Sequence, residues 1–132
     1  MDKYRRTKTT VSLIRYHFVF CPRFRRKIFL IPDVETQFKE AVSQICKQND
    51  INILAMECHK DHCHLFVSAK PTLSPADIMR IVKTNASHML RKNFKCFENN
   101  KQIWTRSYFV STARDVSSDT IQKYVEKQKT HS

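Results

Sequence analysis

The sequence predicts an α+β fold in which one antiparallel sheet is backed by two helices, with a third helix at the C-terminus. Short β-branched and aromatic runs alternate in hydrophobicity with a period of two. Other, longer segments carry apolar residues at helical spacing, and the order is strand, helix, strand, strand, helix, strand, helix. At 132 residues the chain is expected to form one domain with its own core.

The first strand is read over residues 10–21. There Tyr16, Phe18 and Phe20 share one face, and His17 and Val19 share the other. Pro22 ends it. Arg23 to Lys27 form a basic loop whose Phe24 is expected to be an anchor tucked underneath, although an aromatic among cations can also stack a base. Asp33 to Asn49 reads as a helix, with Val34, Phe38, Ala41, Val42, Ile45 and Cys46 at helical spacing and Asp33 placed to cap it. Ile51 to Cys58 reads as a strand with Ile51, Ile53 and Ala55 on one face and Leu54, Met56 and Cys58 on the other. His59-Lys60-Asp61 is the turn, and His62 to Ala69 returns as the second strand of a hairpin.

Ser74 caps a second helix, with Pro75 at its first position and Asp77 three residues after the cap. Its buried stripe is Ile78, Ile81, Val82, Ala86, Met89 and Leu90, ending near Asn93. A polar loop over Lys95 to Gln102 leads to a fourth strand, Ile103 to Ala113. Asp115 to Ser118 then turn into a last helix, Asp119 to about Lys129. The first six elements are those of a ferredoxin-like βαββαβ sandwich, a fold that decides nothing about function.

Charge narrows the partner. Lys and Arg number 24 against 12 Asp and Glu, a net of +12. Nine of the basic residues fall in the first 27, against Asp2 alone. Such asymmetry points to a polyanion, and to nucleic acid rather than membrane, because no basic amphipathic helix accompanies it. No apolar run reaches membrane-spanning length and no signal peptide is evident, so a cytoplasmic location is expected. Five scattered cysteines suit reduced, mostly buried thiols better than a disulfide framework. The chain has no glycine, so its tight turns must use Asn, Asp, Lys or Pro at some cost in strain.

Chemistry concentrates in ECHKDHCHLFV, Glu57 to Val67. On a strand, His62 and His64 point the same way and Cys63 points into the opposite layer. Two neutral imidazoles side by side are the start of a metal site. The last helix carries Ile121, Tyr124, Val125 and Gln128 on the stripe that should face the protein body. Gln128 there either sits half exposed at the helix edge or offers its carbonyl oxygen to a metal beside the histidines.

Asp61-His62-Cys63-His64-Leu65 resembles the His-hydrophobic-His (HUH) motif, and Tyr124-Val125-Glu126-Lys127-Gln128 resembles the Tyr-[Ile/Val]-Glu-x-Gln signature. Both belong to the single-tyrosine HUH transposases of small bacterial and archaeal insertion sequences, which include the REP-associated tyrosine transposases. The stretches from Tyr16 to Arg26, Ser74 to Met79 and Trp104 to Thr112 are similar to that family too. The resemblance implies one HUH domain over 1–132, with a basic arm over 1–9 and the tyrosine helix over 117–132. It implies that His62, His64 and Gln128 bind one divalent cation, Mg²⁺ or Mn²⁺, and that Tyr124 is the nucleophile. The activity implied is cleavage and rejoining of single-stranded DNA at the element's hairpin ends through a 5′-phosphotyrosine link. A homodimer, with sites that can combine the two chains, would supply both cleavages. Arg5, Arg6, Lys8, Arg23, Arg25, Arg26 and Lys27 are the expected DNA contacts. Ala113-Arg114 and Thr84-Asn85 stand where relatives often have glycine.

Two other readings are kept. One is a catalytically inactive or domesticated single-stranded nucleic-acid-binding protein of the same fold, in which Tyr124→Phe would change nothing. The other is a zinc site built on Cys58, His59, His62, Cys63 and His64. Strand alternation opposes it, because Cys63 faces away from the flanking histidines.

Overall fold

In the computed structural model, residues 14–112 are described, together with the backbone of Arg5–Arg6 and Val11–Ser12. The first strand is not continuous as expected. Val11–Ser12 (β2) pairs antiparallel with Arg5–Arg6 (β1), and the main strand is Arg15–Phe20 (β3). The break has a partner-based cause. Arg15 pairs with Ser68, the last residue of its neighbour strand, so residues further upstream find their ladder in a hairpin of their own.

The remaining strands are β4 (Asn52–His59), β5 (His62–Ser68) and β6 (Phe109–Thr112), and the helices are α1 (Val34–Gln48) and α2 (Pro75–Asn93). The four-stranded sheet has the order β4-β5-β3-β6 with every pair antiparallel. This is the expected ferredoxin-like α+β arrangement. The predicted C-terminal helix lies outside the described residues.

Both helices pack on one face of the sheet. Val34, Phe38, Val42 and Cys46 from α1 and Ile78, Val82, Ala86 and Leu90 from α2 join Phe18, Phe20, Cys63, Leu65 and Val67 from the strands. Each fully buried phenylalanine contributes on the order of 2–3 kcal/mol by leaving water. On α2 the buried stripe is turned slightly from the expected one: Met79 and Ser87 are buried, whereas Ile81 and Met89 are half-buried.

β4 departs from simple alternation. Ile53 pairs with Val67 but Ala55 pairs with Phe66, so Leu54 is an extra residue and stands 41% exposed. Beyond that bulge Met56 and Cys58 join Ile53 against the core, which reverses their expected face. The fourth strand is shorter than expected. Trp104 only bridges Pro22, and the chain leaves the sheet before rejoining it at Phe109. Lys83 of α2 explains the detour, because its ammonium donates to the carbonyls of Thr105 (2.9 Å) and Ser107 (3.2 Å).

Helix ends follow the sequence at one site and not at another. Ser74 and Asp77 form the reciprocal capping box at α2. Asp33 makes no side-chain cap to α1, because it takes up a left-handed conformation at φ 70° to turn the chain. At the other end of α1, Asp50 (φ 56°) occupies the left-handed position that glycine usually fills, while Ile51 donates to the Cys46 carbonyl at 2.8 Å. The other positive-φ residues among those described are Phe24 (61°) and Arg25 (49°), neither being a residue type expected to replace glycine.

Candidate metal centre

The face of the sheet opposite the helices carries the histidines. Alternation along β5 places His62 and His64 on it and turns Cys63 into the core, as read from the sequence. His17 of β3 lies on the same face and joins His64 across the strands, Nε2 to Nδ1 at 3.0 Å. His17 also stacks on Phe66, ring centroids 4.0 Å apart. A fourth histidine comes from the hairpin. His59 is not in the turn, as the sequence suggested, but is the last residue of β4 and pairs directly with His62. The turn is only Lys60 and Asp61.

The ring nitrogens of His59, His62 and His64 that could hold an ion lie within 4.8 Å of one another. All three Nε2 atoms are buried without a hydrogen-bond partner, which fits lone pairs kept for a cation. Two of the rings are held from behind. Asp61 Oδ1 accepts from His62 Nδ1 at 2.8 Å, fixing the proton on Nδ1 and leaving the Nε2 lone pair outward. For His64 to present Nε2 likewise, its Nδ1 carries the proton and donates to His17. Burial lowers the His62 pKa below the ordinary value, with His59 adding to the effect and Asp61 opposing it. Burial, helped by the neighbouring imidazoles, lowers His64 to about 3. Neutral imidazoles are the ligand form. Asp61 is pushed up by burial, but the His62 hydrogen bond and the Arg25 charge outweigh this and hold it below the usual carboxylate range.

Arg25 reaches Asp61 at 3.2 Å, so the basic loop is tied to a histidine's partner. The loop differs from expectation at Phe24, which is 73% exposed rather than tucked underneath. Its ring lies under the guanidinium groups of Arg23 (4.8 Å) and Arg26 (5.7 Å), which hold it outward. Of the expected DNA contacts, Arg23, Arg26 and Lys27 are exposed and Arg25 is half-buried. Arg5 and Arg6 are described only as the backbone of β1; Lys8, Tyr124 and Gln128 lie outside the described residues.

Comparison with known proteins decides the family. The family described as "Transposase IS200 like" matches residues 10–128. The chain belongs to the IS200-like transposase family. It is 28% identical over 124 residues to the ISDra2 transposase TnpA of Deinococcus radiodurans, covering 89% of this chain and 86% of that one. It is 30% identical over 117 residues to the transposase for insertion sequence element IS200 of Salmonella typhimurium, covering 86% of this chain and 76% of that one. The fold matches a Deinococcus radiodurans crystal structure described as a transposase, with a TM-score of 0.78 and 24% identity over 94% of this chain and 97% of that one. It also matches a REP-associated tyrosine transposase bound to a REP hairpin, with a TM-score of 0.60 and 18% identity over 93% of this chain and 68% of that one.

As an IS200-like transposase, the chain is an enzyme of a class that cleaves and rejoins DNA. No helix among its described residues is long and apolar enough to cross a membrane. Sequence reasoning missed His17 at the transposase's histidine cluster and offered His59 only within the zinc alternative, as a turn residue. The signal for His59 was the length of the turn, since a two-residue loop sets its flanking residues opposite each other. His17 joins through cross-strand register, which no local pattern reveals.

The buried histidines also make a prediction about acid stability. Burial lowers the His17 pKa to about 4, and His64 lies near 3, whereas both titrate near 6.5 when unfolded. Between those values the unfolded chain binds protons that the native state does not, so stability falls as pH drops below 6.5. Urea unfolding of metal-free protein should show a loss on the order of 2 kcal/mol per imidazole between pH 7 and 5. An unchanged midpoint would mean that these rings are not held neutral by the fold.

Proposed function

We propose that this chain is a metal-dependent single-stranded DNA transposase that nicks and rejoins the ends of its own insertion sequence in the cytoplasm. The observation that carries the reading is the cluster of histidines with buried, unpartnered Nε2 atoms on the sheet face. His62 and His64, with Gln128, hold one divalent cation, Mg²⁺ or Mn²⁺. When bound, the ion supplies Lewis-acid polarisation of the scissile phosphate and stabilises the leaving oxygen. Asp61 and His17 keep the two rings in the tautomer that binds it.

Tyr124 supplies the nucleophile. Its phenol gives up a proton, its oxygen bonds to phosphorus, and the bond from phosphorus to the 3′ oxygen breaks. The 3′ oxygen leaves as a hydroxyl, and the 5′-phosphotyrosine conserves the bond energy, so a second 3′-OH can reverse the step on another strand without ATP. One nucleophile per chain and two cleavages per excision favour a homodimer with composite sites. A folded hairpin as substrate is supported by the fold shared with the REP-associated transposase bound to a REP hairpin.

The exposed Phe24 between two arginines suits a stacked, unpaired base flanked by phosphates. Phe24→Ala should weaken single-stranded DNA binding by about 1–3 kcal/mol, roughly 5- to 150-fold, and affect duplex binding little. Fluorescence anisotropy with matched single- and double-stranded oligonucleotides checks this, and equal losses on both would remove the stacking role.

The function is tested on a denaturing gel with end-labelled single-stranded DNA from the element's ends, with Mg²⁺, Mn²⁺ or chelator. A metal-dependent covalent protein–DNA band is expected. Binding without that band under either metal would leave a DNA-binding relative that has lost its chemistry.

A further inference from the structure

We infer that His59 is a third imidazole ligand, which makes this a three-histidine site that takes a transition-metal ion in preference to Mg²⁺. The inference rests on the metal-dependent reading above and refines it. A pair of histidines completed by an amide oxygen leaves the choice among divalent ions open. A third imidazole does not, because nitrogen ligands favour first-row transition metals, whereas Mg²⁺ takes oxygen and retains water.

Three observations place His59 in the set. It is the β4 residue directly opposite His62, across a turn of only Lys60 and Asp61, so the hairpin itself fixes their spacing. Its ring lies 4.7 Å from that of His62 and 5.7 Å from that of His64, while His62 and His64 are 5.1 Å apart, a near-equal triangle. Its Nε2 is buried without a partner although the residue as a whole is only half-buried, and the same atom is orphaned in both neighbours. Three such orphaned nitrogens gathered in one cluster are costly unless something positive lies among them. Nitrogens sharing one ion at about 2.1 Å sit roughly 3.0–3.5 Å apart, so the set closes when the His59 ring, stacked on His62 with planes 19° apart, rotates to bring its lone pair onto the same ion.

Cys58 and Cys63 stay out of this site. They pair with each other on the core side of the hairpin, which removes the thiolates a closed zinc site would need. Three imidazoles therefore leave coordination positions for water or a phosphate oxygen, the open form of site rather than the structural one.

The test uses the full chain without DNA and Co²⁺ as the probe, with Zn²⁺ and Mg²⁺ in parallel titrations. The wild type should bind one Co²⁺ far more tightly than Mg²⁺. His59→Ala should weaken Co²⁺ by at least tenfold and change its visible absorption spectrum, while leaving Mg²⁺ affinity within about twofold. A long-range ¹H–¹⁵N spectrum of the wild type should show Nε2 of His59, as well as of His62 and His64, shifting on Zn²⁺ addition. If His59→Ala binds Co²⁺ as the wild type does while His64→Ala loses it, His59 is no ligand and the two-histidine reading stands. If the wild type binds no Co²⁺ or Zn²⁺ yet forms the covalent DNA band with Mg²⁺, the three-histidine site is overturned and the transposase reading survives. Failure of the covalent band with Co²⁺ binding intact would overturn the transposase reading alone.

Discussion

Tyr124→Phe is expected to bind the element's hairpin DNA as the wild type does and to form no covalent protein–DNA band. The substitution deletes one oxygen, and that oxygen is the atom proposed to bond to phosphorus. Losing a nucleophile outright should lower cleavage on the order of a thousandfold or more, whereas Mn²⁺ or Co²⁺ affinity should not move. The described tyrosines offer no substitute. Tyr16 and Tyr108 pack against the core cluster on the helix side of the sheet, and Tyr108 lies 5.4 Å from the Lys83 ammonium. Neither stands among the histidines. A labelled-DNA gel with Tyr124→Phe, Tyr16→Phe and Tyr108→Phe side by side settles the assignment. A surviving covalent band in Tyr124→Phe would move the nucleophile elsewhere.

His64→Ala should lose the metal and the cleavage activity together, each by roughly a hundredfold or more. His64 is wholly buried between its two neighbours, so its removal has a structural consequence as well. His17 loses the hydrogen bond at 3.0 Å in a place that water does not reach, which should cost about 1–3 kcal/mol of stability. Titration calorimetry with Mn²⁺ and urea unfolding read the two effects separately. His62→Ala should resemble it in metal binding, with Asp61 keeping Arg25 as a partner. Wild-type metal affinity in both variants would mean that the orphaned nitrogens serve no ion.

Much of the fold was legible because its elements are patterned locally. The capping box at Ser74 and Asp77 and the alternation of β5 each involve residues a few positions apart, and both stand as read. What escaped depends on partners distant in sequence. The split between β2 and β3 follows from where β5 ends, and the detour before β6 follows from a lysine more than twenty residues away. The Leu54 bulge inverted the faces of Met56 and Cys58 because one extra residue shifts a period of two. At the site, His62 and His64 needed only alternation to be paired. Phe24 defeated the sequence reading for a different reason: its exposure follows from two consecutive left-handed residues, which no residue-type preference would place there.

The contact between Arg25 and Asp61 alters what the basic loop can offer a polyanion. Counterion release on DNA binding counts only cations that can come up against phosphates. Arg25 is already neutralised by a carboxylate that also holds a histidine, and drawing it away would unfasten that histidine. Arg23, Arg26 and Lys27 remain exposed. On single strands the loop should therefore contribute about 2 to the slope of log affinity against log salt, rather than nearly 3. A quarter of the loop's formal charge is spent inward, on keeping a ring in place.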